Sequence, residues 1–366
     1  MKVLNFCSYF IGSKVYRNLF LALAQNNVKS QVFVPIRTQL HRDANNINHD
    51  NIEINYNKCL SLFTRFFYCL KLLFVTKAFG KTYNQDSLAD VFHAHTLYGD
   101  GIPAFLCARR HNKKLVITLR NTDVNLGFKY YRHYKWLAKL ALKYSTQIIF
   151  VSPGHKIKFQ QYFGDQFDNK LVVIPNGIDP FFIDKVLKEK KEVTQRSAIY
   201  AGEINKNKNI ESAIKAFALS NDNSDWTFTV VGGDYSSYLN SYKALEPQLK
   251  EKVTFIPRVA KEELVELYDK ASIFIMPSHK ETFGLVYIEA ISRCLPVVYT
   301  KGQGIDGYYA EGKVGFSCDP NSLQDITQAI TKSLKCYPQG LQFDNKNLAQ
   351  DYAWDSIAKL YKNSVY

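Results

Sequence analysis

Residues 272–300, SIFIMPSHKETFGLVYIEAISRCLPVVYT, restrict the possible folds more than any other stretch of this chain. Ser272–Met276 is a short apolar run of β-formers, Pro277 and Ser278 punctuate it, Phe283–Cys294 has helical length, and Pro296–Thr300 turns β-like again. Strand, loop, helix and strand in that order make a parallel crossover. Further short strands are expected at Lys2–Phe6, Ser30–Pro35, Asp90–His95, Leu115–Leu119, Gln147–Ser152, Val172–Ile174, Ala198–Ala201, Phe228–Val231 and Val253–Ile256, with helical segments such as Val15–Asn27 between them. Alternation of this kind builds α/β layers on parallel sheets. At 366 residues the chain is long enough for two such domains.

In an open parallel sheet, the loop at the carboxyl end of a strand and the first turn of the next helix face the crevice where ligands bind. Here that loop is Pro277–Thr282. The N–H groups of Thr282, Phe283, Gly284 and Leu285 would be first-turn donors, and with the positive end of the helix dipole they suit a diphosphate. Gly284 removes a side chain where backbone must approach closely. Glu281 and Glu289 stand eight positions apart, which along a helix is roughly 12 Å, the scale of a nucleotide diphosphate sugar rather than of one bond. They read as hydroxyl clamps at the two ends of one donor. The plainer reading is one glutamate favouring the helix dipole and one solvated on the surface, and spacing alone leaves both open.

Those glutamates stand in P-S-x-x-E-T-F-G-L-V-x-x-E-A, which resembles the E-x7-E signature of retaining glycosyltransferases of family 4. The resemblance implies an α/β chain of GT-B fold: two facing Rossmann-like domains with parallel sheets, and a C-terminal helix that crosses back to the N-domain. It implies an acceptor domain over 1–184, a donor domain over 185–350, and the returning helix over 351–366, with reaction in the cleft as the domains close. The boundary falls in the charged stretch Lys185–Gln195, after Pro175-Asn176-Gly177-Ile178-Asp179, which resembles the family's exit from the N-domain.

Carried over residue by residue, Lys208 matches the family's lysine on the donor diphosphate, while Glu203, after Gly202, stands where arginine is common. Arg258 and Val259 lie where relatives hold the nucleotide base. Gly12 and Ser13 stand where relatives often carry a Gly-Gly pair beside the phosphates. Asp90–His95 and Arg120-Asn121-Thr122-Asp123 resemble the D-x-x-H-x-H strand and the following loop, with Arg120 at a position where many relatives have a histidine near the reacting sugar. A guanidinium cannot act as a base at neutral pH, so Arg120 would bind charge. The implied catalytic set is Glu281, Lys208 and Arg120. The implied substrates are a UDP- or GDP-sugar and a lipid-linked or cell-envelope polysaccharide acceptor, with no cofactor and no metal. Rival readings are a nucleotide-binding protein without catalysis and a nucleotide-sugar epimerase on the same scaffold.

Composition narrows the partners. Residues 1–180 hold 24 Lys and Arg against 10 Asp and Glu, and residues 181–366 hold 23 against 23, so the whole net charge of +14 sits in the N-terminal half. Such an excess calls for an anionic partner. Residues 58–82 and Phe128–Lys143 interleave aromatics with Lys and Arg; each is either a core helix with solvated lysines or a helix settled into an anionic lipid surface. No nucleic-acid-binding pattern accompanies them, so nucleic acid is set aside. There is no run of 18 uncharged apolar residues and no signal-peptide pattern at Met1–Tyr9, which leads us to expect a cytoplasmic protein, peripheral on the inner face of the membrane. Seven scattered cysteines read as buried reduced thiols. His93 and His95 share a strand face, but no third metal ligand follows at suggestive spacing.

Overall fold

A parallel pair of strands needs a long crossover between its members, and every strand pairing among the described residues is parallel. The structure, a computed structural model, describes residues 1–84, 88–187, 189, 196–221, 225–342 and 349–366. The chain forms two compact units. The first is Met1–Val151, His155–Gly177 and Trp354–Tyr366; the second is Ser152–Gly154 and Ile178–Ala353. Most of the stretch Lys185–Gln195 lies outside the described residues.

The first unit is built on β1 (Lys2–Phe6), β2 (Lys29–Ile36), β3 (Ile52–Lys58), β4 (Val91–Ala94), β5 (Lys114–Leu119), β6 (Gln147–Phe150) and β7 (Leu171–Val173), in the order β3-β2-β1-β4-β5-β6-β7. Successive residues of a strand face opposite sides. Leu4, Phe6, Phe33, Phe92, Ile117 and Phe150 accordingly pack into one core, and Val3, Val32, Val34, Val91, Val116 and Ile149 into another. Burial on both faces is why these strands read as nearly unbroken apolar runs. The second core is closed by helix α1 (Lys14–Gln25) and by the Trp354–Ser364 helix, which buries Trp354, Ile357, Ala358 and Tyr361 there. Asn26 Nδ2 donates to Asp355 Oδ1 at 2.9 Å between those two helices.

Three local features depart from the sequence reading. Strand β3 was passed over, although I-E-I-N-Y-N alternates as an edge strand should. The basic aromatic stretch 58–82 is not one helix: Lys58 ends β3, then α2 (Phe63–Phe66) and α3 (Tyr68–Thr82) are separated by Phe67 at φ −106°, ψ 91°. Phe128–Lys143 likewise breaks into Phe128–Tyr130, a 3-10 turn at Arg132–Tyr134 and a helix over Lys135–Tyr144. Apart from these, two of the seven cysteines, Cys69 and Cys336, are exposed rather than buried.

The second unit carries β8 (Arg196–Ala201), β9 (Trp226–Val231), β10 (Val253–Ile256), β11 (Ile273–Ile275), β12 (Val297–Thr300) and β13 (Gly315–Cys318), ordered β10-β9-β8-β11-β12-β13. One apolar cluster, including Ile199, Phe228, Phe274, Tyr287 and Val298, forms its core. In each unit the strand order reverses once, between β1 and β4 and between β8 and β11. Loops leaving those strands diverge and open a crevice at their carboxyl ends.

Candidate functional site

In the second unit the reversal point brings together two loops far apart in sequence. Lys208 follows β8 and Glu281 follows β11, and Lys208 Nζ lies 2.7 Å from Glu281 Oε2 with both side chains mostly withdrawn from water, at 18% and 13% exposure. The loops are laced by backbone and amide contacts: His279 N donates to Asn207 O at 2.8 Å, Asn207 Nδ2 to Lys280 O at 2.9 Å, and Asn209 Nδ2 to Pro277 O at 3.3 Å. The loop after β12 joins them, with Gln303 Oε1 accepting from Glu281 N at 3.3 Å. A charge pair so enclosed and so braced is fixed in place, unlike a pair at the open surface.

The helix that follows begins at Leu285 and runs to Ser292, two residues later than the apolar run suggests. The reason is Gly284, its N-cap, at φ +77°. That left-handed turn suits glycine, and a Cβ there would stand 2.5 Å from the Tyr287 ring. Thr282 therefore lies before the helix, and its N–H donates to Glu281 Oε1 at 2.9 Å instead of awaiting a ligand. Phe283 is buried against Tyr308 and Tyr352. The first-turn N–H groups from Leu285 onward still point out of the helix toward the loop side.

Glu289 is half-buried on the same helix. Burial, with nearby Asp179 adding to it and Lys261 opposing, lifts its carboxyl to about 7. Lys261 also pairs with Asp179, so two carboxylates and one ammonium share this side of the helix. Gly202 ends β8 in a close approach to the next loop, since a Cβ on Gly232 would come within 2.1 Å of Gly202 O. Glu203 is exposed, as is Arg258, and Val259 packs against the core. The structure thus brings Lys208, Glu281 and Thr282 into contact and leaves Glu203 and Arg258 facing solvent.

Gly12, Ser13 and Arg120 belong to the first unit. Gly12 closes a short turn with open space around it, and Ser13 precedes α1, its carbonyl accepting from Asn45 Nδ2 at 3.0 Å. The Arg120 guanidinium stacks 4.7 Å from the Tyr16 ring centre and donates to Asn176 Oδ1 at 3.3 Å. His93 and His95 are structural partners: His93 Nδ1 lies 2.8 Å from Tyr366 Oη and Nε2 2.8 Å from Thr118 Oγ1, and His95 Nε2 lies 3.0 Å from Asn5 Oδ1. Burial, with Arg120 adding to it, pushes His93 down to about 3, so its ring is neutral.

The first unit also contains a pocket of about 790 Å³ at its own reversal point, lined by Ser8, Tyr9, Gly12 and Ser13 after β1, by Thr96 and Tyr98 after β4, and by Asp123 after β5. Tyr68 and Lys71 of α3 enter it from the side. Asp123 in its lining and the buried Asp100, held by lining residues, are both anchored. Asp100 accepts from Ser8 N at 3.0 Å and Thr96 Oγ1 at 2.9 Å, and Asp123 accepts from Tyr98 N at 3.1 Å and Arg120 N at 3.2 Å. Burial raises Asp123 to about 6. Lys71 and the tyrosines were absent from the sequence-derived site. Their signal was a lysine recurring on the face of Tyr68, one helical turn on.

Residues 12–181 match the family described as Glycosyltransferase Family 4, and residues 183–349 the one described as Glycosyl transferases group 1. A probable sucrose-phosphate synthase of Thermosipho melanesiensis is 27% identical over 241 residues, 62% of this chain and 56% of that protein, so the match spans little more than half of the relative. Among solved structures, the sucrose-phosphate synthase of Thermosynechococcus elongatus aligns with TM-score 0.76 at 18% identity over 99% of this chain and 98% of its own. Anabaena Alr3699/HepE, solved in complex with UDP and glucose, aligns with TM-score 0.68 at 17% identity over 100% of this chain and 99% of its own. Identities this low establish a shared fold.

Proposed function

This chain belongs to the group 1 glycosyltransferases of family 4, and from that premise we propose that it moves a sugar from a nucleoside-diphosphate sugar, held in the second unit, to a lipid-linked or cell-envelope glycan acceptor held in the first, with retention at the anomeric carbon. The observation that carries the donor assignment is the enclosed Lys208–Glu281 pair at the β8/β11 reversal, beside the N-terminus of the Leu285–Ser292 helix. Lys208 keeps donors to spare beyond Glu281 and meets the diphosphate as it departs, together with the first-turn N–H groups. Glu281, anchored through both oxygens, accepts from the hydroxyls of the sugar. Glu289 takes the ribose hydroxyls. Positive charge from Lys208 replaces a divalent ion, so turnover is expected to survive a chelator.

UDP-sugars are the first donors to try, because a structural neighbour was solved with UDP. Retention is carried by the family resemblance, with the leaving phosphate assisting removal of the acceptor proton on the same face. No helix among the described residues is long and apolar enough to cross a membrane. The outer face of α2 and α3 supplies peripheral contact instead: Phe63, Phe66, Phe67 and Leu73 are 58–78% exposed there, on the unit that holds all the excess positive charge. A patch of this kind beside lysines suits an anionic bilayer.

The test is transfer of labelled sugar from a panel of UDP- and GDP-sugars to an envelope lipid extract, with the product anomer read by NMR and a chelator in parallel. Transfer with the donor's own anomer, unaffected by chelator, supports the reading; turnover without any acceptor would point to an epimerase or hydrolase.

A further inference from the structure

Helices α2 and α3 have two faces with different chemistry. Thr64 of α2 lines the pocket of the first unit together with Tyr68 and Lys71 of α3, which are three positions apart on one helix face. Phe63, Phe66, Phe67, Leu70, Leu73 and Phe74 of the same segment stand exposed. One short segment therefore lies between the pocket and an apolar outer surface. The boundary between them is only a helix thick.

Inside that wall two cations, Lys71 and Arg37, face the cavity. Lys71 Nζ donates one hydrogen bond, to Gly99 O at 2.9 Å, and an ammonium has two more to give. Arg37 lines the same pocket from the end of β2 and is near enough to disfavour the Lys71 charge. His41 also lines it and has a buried Nδ1 without a hydrogen-bond partner. Asp100 and Asp123 offset Lys71, but their oxygens are already occupied by backbone and hydroxyl donors. Burial pushes the Lys71 ammonium down, and Arg37 adds to the fall. Two like charges facing one cavity repel, and an anion placed between them removes the repulsion while completing the ammonium's hydrogen bonds.

We propose that Arg37 and Lys71 bind the phosphate by which an amphiphilic acceptor joins its glycan to its lipid, the glycan filling the tyrosine-lined pocket and the hydrocarbon lying along the outer face of α2 and α3. This rests on the reading that the first unit takes the acceptor, and it adds the chemical feature by which that acceptor is recognised. A neutral glycan would leave the two cations unanswered. A free phosphate would leave the apolar face unused.

Calorimetry on the full chain with three probes tests it: dodecyl phosphate below its micelle concentration, neutral dodecyl maltoside, and inorganic phosphate. Dodecyl phosphate is expected to bind at least about tenfold more tightly than either of the others, and Arg37→Ala and Lys71→Met each to weaken it about tenfold, the scale of one charged hydrogen bond. Arg37 is exposed, so its variant remains informative where Lys71→Met unfolds the chain. Equal affinity for dodecyl phosphate and dodecyl maltoside, or an Arg37→Ala chain that binds dodecyl phosphate as wild type does, overturns the phosphate ligands. Equal affinity for dodecyl phosphate and inorganic phosphate overturns the amphiphile. UDP titrated into the same samples separates the readings: a chain that binds UDP but not dodecyl phosphate loses only this inference, and one that binds dodecyl phosphate but no nucleotide loses the donor assignment.

Discussion

A carboxyl group partly shut off from water and set near a second carboxylate resists ionising, and Glu289 is in that position, with a pKa of about 7. Its folded pKa lies above the unfolded value, so the folded chain holds the proton more firmly. Stability is then full below about pH 4 and declines as pH rises through 7. Glu289→Gln should raise the melting temperature at pH 8 and leave it nearly unchanged at pH 5, as scanning calorimetry would show; no gain at pH 8 removes the strained carboxylate. A clamp on ribose hydroxyls needs the ionised acid, so UDP affinity should climb between pH 6 and 8 in wild type and stay flat in that variant. Lys208→Ala should cut turnover about a hundredfold, the usual loss for one transition-state donor, while circular dichroism stays native; rates near wild type would take Lys208 out of the site. Lys208 and its partner Glu281 were each legible as members of a motif. Their mutual contact was not, because 73 positions separate them and only the order of the strands, which spacing does not encode, puts β8 beside β11. The direction of Lys71 was not legible either: it depends on a break at Phe67 that composition does not announce.

The Leu285–Ser292 helix shows how one backbone conformation sets an element's limits. The apolar pattern from Phe283 predicted an earlier start, and pattern cannot see a left-handed residue. Gly284→Ala must hold φ near +77° and displace the Tyr287 ring, whose hydroxyl donates to Met276 O at 2.6 Å in the core. The left-handed turn alone costs about 1 kcal/mol for alanine, and the clash adds to it. A melting temperature lowered by several degrees, together with weakened UDP binding, is expected by thermal shift and calorimetry; a variant with wild-type values for both would show that this helix entry adapts. The segment α2–α3 was legible as basic and aromatic, and sequence left open whether its rings face a core or a surface. The structure answers ring by ring: Tyr68, Leu72, Val75 and Phe79 are buried, while Phe66, Phe67 and Leu73 are not.

At the scale of the molecule, the alternation of short strands and helices was enough to foresee two parallel sheets, because burial on both faces writes itself into apolar runs. Edge strand β3, half-polar, is hidden from such a rule. The charge asymmetry was also plain in the sequence. Its consequence is a prediction: sedimentation with anionic liposomes should fall steeply between about 0.1 and 1 M salt, as the screening length shrinks from roughly 10 to 3 Å, and Phe66→Asp with Lys77→Glu should abolish it. Equal binding to neutral liposomes at both salts would argue against charge-guided docking.

The Trp354–Ser364 helix completes the core behind Val3 and Leu19, yet the ribosome makes it only after every strand of the second unit. The second unit can therefore collapse during synthesis with its sequence already in hand, while the first, begun earlier, waits with an unsealed side. Closure of the first unit's core therefore has to wait for a segment made after the second unit.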